Sequence, residues 1–105
     1  MTEAAFRSCR LFKVLGNPLR YKILCELLRA PQTPAALARQ THRRLPAVSI
    51  ALKLLQDAGL VWYRTWGHGV IYHARFHEAS LLFSQSESLV LRHGLLIAAA
   101  PTTAG

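Results

Sequence analysis

Between Pro46 and Ala58 the apolar side chains recur with the spacing of a helix. Val48, Ala51, Leu52, Leu55 and Ala58 fall on one side, a core face. Pro46, Ser49, Ile50 and Lys53 fall on the other, and Arg43 and Arg44 stand just ahead of the first turn. Upstream, Glu3 to Leu15 mixes Phe6, Cys9, Phe12 and Val14 with Arg7, Arg10 and Lys13, which predicts a basic amphipathic helix ended by Gly16. Asn17 as N-cap and Pro18 at the first helical position start a second helix over 18–29, with Leu19, Ile23, Leu24, Leu27 and Leu28 toward the core. Thr33 and Pro34 start a short third helix that runs to about Gln40, and the link "THRR" leads into the helix from Pro46. Gly59 closes that helix as a left-handed residue.

Beyond Gly59 the period changes to two. "LVWYRTW" and "VIYHARF" read as strands, joined by a hairpin tip at Gly67–Gly69. The cluster Trp62, Tyr63, Trp66 and Tyr72 is expected to pack the strands together, with the lining of a small-molecule pocket as the other reading. A last helix over 77–99 carries Leu81, Leu82, Phe83, Leu89, Leu91, Leu95 and Leu96, and 100–105 reads as a frayed tail. Two helices joined by a tight turn and followed by a hairpin predict a mainly α fold with a small β-hairpin. That fold is a single winged helix-turn-helix domain over residues 1–105. Leu81, Leu82, Leu89, Leu95 and Leu96, with Phe6 and Phe12, supply more apolar surface than a domain of this size buries on itself. The helices over 3–15 and 77–99 are therefore expected to form a homodimer.

Within such a fold the helix from Pro46 is the one that enters a DNA major groove. Its outer face has the chemistry for it. Ser49 can reach a base or phosphate, Ile50 and Pro46 a thymine methyl, and Arg43, Arg44 and Lys53 the phosphates, or one of the arginines a guanine. Arg64 and the hairpin tip near His68 are the second candidate contact. Charge supports this reading. Thirteen Lys and Arg stand against five Asp and Glu, a net charge of +8 that favours polyanions. Between Pro34 and Phe76 the cations are Arg39, Arg43, Arg44, Lys53, Arg64 and Arg75, and the only carboxylate is Asp57. No apolar run reaches the ~18 residues of a membrane span, and "MTEAAFRSCR" has no apolar signal-peptide core, so a cytoplasmic protein is expected.

Residues Leu11 to Phe76 resemble the ArsR/SmtB family of winged-helix repressors. "VLGNPLRYKILCELL" is similar to the family's helix entry, "VSIALKLLQDAGLV" to its recognition helix, and "YRTWGHGVIYH" to its wing, with Arg64, Gly67 and Tyr72 in register. The resemblance implies a homodimer built from the first and last helices. It also implies a near-palindromic operator and a repressor released from DNA by an inducer. The chain departs from the family at three places. Many members read Ser-x-His-Leu where this one reads Ser49-Ile50-Ala51-Leu52. His68 stands where a basic residue is common, and Trp62 and Trp66 where polar residues are common.

The family's metal sensors carry a Cys-x-Cys pair in the helix before the recognition helix. Here that stretch, "PAALARQTH", has no cysteine, and His77, Glu78, Glu87 and His93 do not match the family's last-helix sites, so no metal site is expected. Cys25 lies in "YKILCELL", where the family's redox-responsive members carry one of two reactive cysteines. The second lies in their last helix and is missing here, which leaves Cys9 as the only partner. Arg7, Arg10, Lys22 and Arg29 are placed to lower a thiol pKa, so Cys9 and Cys25 are the candidate redox-sensing pair. The other reading for both is small core hydrophobes. No catalytic constellation or cofactor motif stands out, and an enzyme is not expected. Two further classes compete with the repressor: a protein-interaction adaptor that kept the fold and lost DNA reading, and an anionic-membrane binder using the basic first helix.

Overall fold

The computed structural model describes residues 1–93. Seven elements follow in order: α1 (Glu3–Leu15), α2 (Pro18–Arg29), α3 (Pro34–Thr41), α4 (Leu45–Asp57), β1 (Val61–Trp66), β2 (Gly69–Ala74) and α5 (Phe76–His93). The arrangement is the expected winged helix-turn-helix. The rest of the last helix to residue 99, with Leu95 and Leu96, and the tail over 100–105 lie outside the described residues.

The helix starts are written in the chain. The Thr2, Asn17 and Thr33 side chains accept from the N–H groups of Ala5, Arg20 and Ala36, capping α1, α2 and α3. Both helices of the helix-turn-helix end in the same way. The Leu60 N–H donates to the Leu55 carbonyl and the Gly59 N–H to Gln56, with Gly59 at φ +79°. The Arg43 N–H donates to the Ala38 carbonyl and the His42 N–H to Arg39, with His42 at φ +55°. Each is a Schellman closure, but α3 makes its own with a histidine in the left-handed position that glycine fills after α4. The turn is therefore His42–Arg44. α3 extends one residue past Gln40, and α4 begins at Leu45, one residue before Pro46, because the Arg44 carbonyl already accepts from Val48.

The core is one cluster: Ile23, Leu24 and Leu27 of α2, Leu37 of α3, and Val48, Ala51, Leu52 and Leu55 of α4. Leu60, Val61 and Ala74 at the hairpin base and Ala79 and Phe83 of α5 complete it. Leu19 and Leu28 pack against it half-buried. Ala58, expected on the core face, is exposed, because as the C-cap it lies where α4 hands over to the Gly59 closure. Burying each large aliphatic side chain here contributes about 1.5–3 kcal/mol.

The hairpin is antiparallel, with Trp62 opposite His73, Tyr63 opposite Tyr72, Arg64 opposite Ile71 and Trp66 opposite Gly69. Gly69 is paired, so the tip is the two residues Gly67 and His68, with Gly67 at φ +60° supplying the positive dihedral that a tight hairpin turn needs. The second strand stops at Ala74, and Phe76, read as its end, starts α5. A bridge not foreseen joins Gln32, in the α2–α3 loop, to Tyr72: the Gln32 N–H donates to the Tyr72 carbonyl at 3.2 Å and the Tyr72 N–H returns to Gln32 at 2.9 Å.

α1 has no buried residue. Leu11, Val14 and Leu15 lean half-buried on the core, while Phe6, Cys9 and Phe12 face outward. Its corner with α2 is held by Arg20, whose Nε donates to the Val14 carbonyl at 2.6 Å and whose terminal nitrogen donates to Lys13 at 3.3 Å. Gly16 fits there because a Cβ would sit 3.1 Å from the Phe12 carbonyl oxygen. Among the described residues no helix is long and apolar enough to cross a membrane.

The left-handed His42 gives a stability test. An L-residue pays about 1–2 kcal/mol for this conformation, and glycine gives back part of that through the unfolded chain. His42→Gly is expected to stabilise by about 0.5–1 kcal/mol in urea unfolding, and His42→Ala not at all.

Candidate nucleic-acid interface

α4 spends Val48, Ala51, Leu52 and Leu55 on the core, and its other side is open. Arg43, Arg44, Pro46, Ser49, Ile50 and Lys53 are all exposed, Ile50 by 64%. An isoleucine this bare on a well-packed helix is not serving the fold. Leu45, whose place ahead of Pro46 gave no helical period to mark it, is 47% exposed beside it. α1, α2 and α3 have side-chain caps; α4 does not, since its N-cap is Arg44 and no side chain accepts from its first turn. The opening N–H groups of α4, less the one that Pro46 removes, keep their partial positive charge free toward solvent.

The interface cations divide into two groups. Arg43, Arg44 and Arg64 have no ion pair among the described residues, where the three pairs are Arg7–Glu3, Arg29–Glu26 and Lys53–Asp57. Lys53, placed by the sequence as a phosphate contact, donates to Asp57 at 2.7 Å. Both partners are well exposed, and such a pair is worth only about 0.3–0.5 kcal/mol, so a phosphate can take the place of Asp57 at little cost.

The wing stands clear of the body: after Val61 every residue of β1 is exposed, and so is His68 at the tip. The aromatic residues pack across the strands as the sequence suggested at Tyr63, Tyr72 and Trp62, but not at Trp66. Tyr63 meets Tyr72 with ring centroids 5.4 Å apart, on the face that carries Val61 and Ala74 into the core. Trp62 lies parallel to His73, centroids 4.2 Å apart and planes 9° apart, on the opposite face. Trp66 is 58% exposed, and its cross-strand neighbour is Gly69, which offers it no side chain. The period-two spacing of Trp62, Arg64 and Trp66 was the signal that these three share a face.

The two thiols are placed differently. Cys9 is exposed and Cys25 is half-buried. The Cys25 thiol is pushed up to about 11, first by burial and then by the Glu87 and Glu26 carboxylates. This reverses the expectation that nearby cations would lower it; Arg29 and Arg7 are occupied by Glu26 and Glu3. Tyr21 belongs to the same neighbourhood. It stacks on Phe83 at 4.3 Å and donates its hydroxyl to Glu87 at 2.8 Å, and burial with that contact pushes it up to about 12. Among the described residues no three His, Cys, Asp or Glu side chains are grouped to hold a metal ion.

The exposed helix, the tight turn before it and the hairpin behind it make this chain a winged helix-turn-helix domain. Solved structures similar to it include transcription regulators. One is the homodimeric winged helix-turn-helix DNA-binding domain of a possible ArsR-family transcriptional regulator from Mycobacterium bovis, 27% identical, with a TM-score of 0.76 over 89% of this chain and 90% of that one. Another is reduced HlyU from Vibrio cholerae, 25% identical, TM-score 0.74, over 85% and 94% of the two chains. A third is the transcriptional regulator HlyU from Vibrio vulnificus, 25% identical, TM-score 0.70, over 83% and 91%. The resemblance to ArsR-type regulators read from the sequence is borne out by these structures. No protein-family model matches the chain, and no curated protein matches it.

The raised Cys25 has a direct consequence. Its folded pKa lies above its ordinary 9.0, so its contribution to stability is complete below pH 9 and is lost as the pH rises through about 11. In a Cys9→Ser protein, alkylation of Cys25 by iodoacetamide is expected to keep accelerating up to pH about 11. A rate that levels off near the ordinary 9.0 would contradict the burial.

Proposed function

We propose that this chain is a sequence-specific DNA-binding transcriptional regulator that works in the cytoplasm as a homodimer. The observation that carries the reading is the outer side of α4: an uncapped N-terminus with bare Arg43, Arg44, Ser49 and Ile50, on a helix whose inner side is fully used by the core. A helix end of this kind attracts phosphates by its dipole and presents side chains to base edges. The wing supplies a second contact through Arg64 and His68. Dimerisation uses α1 and α5, where Phe6, Phe12, Leu81, Leu89, Val90 and Leu91 are exposed by 44% or more. Leu82, expected among them, is half-buried. A two-fold dimer would place its recognition helices about one DNA turn, ~34 Å, apart and read a near-palindrome.

We read the chain as a repressor released by an inducer, on the strength of its resemblance to ArsR-type proteins. A thiol trigger would begin at the exposed Cys9, because Cys25 is held protonated and is a poor nucleophile at neutral pH. The adaptor reading makes the opposite prediction for DNA: no salt-dependent binding.

Salt titration separates these readings. Each phosphate contact adds about one unit to the slope of log K against log salt. Lys53→Ala and Arg64→Ala are each expected to lower the slope by about one unit with melting temperature unchanged. Wild-type slopes in both would remove α4 and the wing from the interface. Sedimentation at micromolar concentration is expected to show a dimer, and Leu89→Glu a monomer; a wild-type monomer would overturn the two-fold model.

A further inference from the structure

Only two tryptophans occur in the chain, Trp62 and Trp66, and both sit on the outer face of the wing. Arg64 lies between them. Residues two apart on a strand are about 6.8 Å from each other, so the face is a row of indole, guanidinium and indole running toward the tip. Trp62 is footed on His73 by parallel stacking. Trp66 is more exposed, at 58% against 44%, and has only Gly69 opposite it. The fold gains nothing from leaving so large an apolar ring in water.

The chemistry of the face narrows what covers it. An indole N–H and a guanidinium only donate hydrogen bonds. No carboxylate occurs between Asp57 and Glu78, so nothing on the wing opposes a polyanion. A surface of apolar rings and donors fits a partner of apolar walls and acceptors. The minor groove of duplex DNA is such a partner, with deoxyribose walls and a floor of adenine N3 and thymine O2 acceptors, about 6 Å wide. We propose that Trp62, Arg64 and Trp66 form a minor-groove surface in which the Trp66 indole enters edge-on against the sugars while Arg64 meets the phosphates, with the Trp62–His73 stack fixing the row. The inference rests on the DNA-binding reading above and adds to it an apolar contact made by this chain's tryptophans.

The probe is a duplex of about 30 base pairs, long enough for two half-sites one turn apart, selected from a random-sequence library by the wild-type protein. Tryptophan emission of the wild type reports this face alone and is expected to change on titration with that duplex. Trp66→Ala is expected to weaken binding about tenfold or more and leave the salt slope unchanged, because no phosphate contact is lost. Trp66→Phe keeps an apolar ring at the tip and is expected to recover most of the affinity. This variant also separates a lost contact from a misfolded hairpin. Wild-type affinity in Trp66→Ala, or emission that saturating duplex does not move, overturns the inference while a weakened Lys53→Ala leaves the DNA-binding reading standing. If the wild type enriches no duplex from the library, both fall together.

Discussion

What the outer surface of α4 can do depends on how few of its residues hold it in place. Val48, Ala51, Leu52 and Leu55, each almost wholly removed from water, lock it against Ile23, Leu24 and Leu27 of α2 and Leu37 of α3. An interior packed this closely fixes a helix in position and rotation, since turning α4 by one residue would expose a leucine and bury a serine or a lysine. The rest of the helix is then free of structural duty. That freedom lets Ile50 stay bare, the N-cap stay empty and two arginines sit together in the turn without a carboxylate beside them.

Much of this was legible from spacing alone. The bounds of α1 follow from its spacing and Gly16, the start of α2 from Asn17 and Pro18, and the core face of α4 from its period, except at Ala58. The outward set Pro46, Ser49, Ile50 and Lys53 is exposed as the wheel required. What was not legible depends on partners distant in the chain or on groups that can be satisfied in more than one way. The direction of the Cys25 shift is decided partly by Glu87, sixty-two positions later and on α5, while the sequence neighbours that suggested the opposite include two arginines with carboxylates of their own. The Gln32 bridge rests on one residue of a loop and leaves no period to detect. The αL residue after α3 is a histidine, so the glycine signal that marks the end of α4 is missing there.

The two ends of the described chain differ in how they are attached. α5 is anchored by Ala79 and Phe83 in the core and by Tyr21 reaching Glu87. α1 has no fully buried side chain: it lays Leu11, Val14 and Leu15 half-buried against the core, and at its corner Arg20 ties its last carbonyls to the first turn of α2. A helix packed by half-buried residues only, with Phe6 and Phe12 exposed, gains further order from whatever covers it.

The Gln32–Tyr72 bridge joins the loop that opens the helix-turn-helix to the strand that closes the wing. With α4 packed into the core and β2 tied to the α2–α3 loop, α4 and the base of the hairpin are joined through one continuous set of contacts. Two elements joined in this way act as a gauge: against a polymer whose grooves widen and narrow with local sequence, they fit some stretches with less strain than others. On the DNA-binding reading proposed above, selectivity would then arise in part at positions that no side chain touches, through two backbone hydrogen bonds at Gln32.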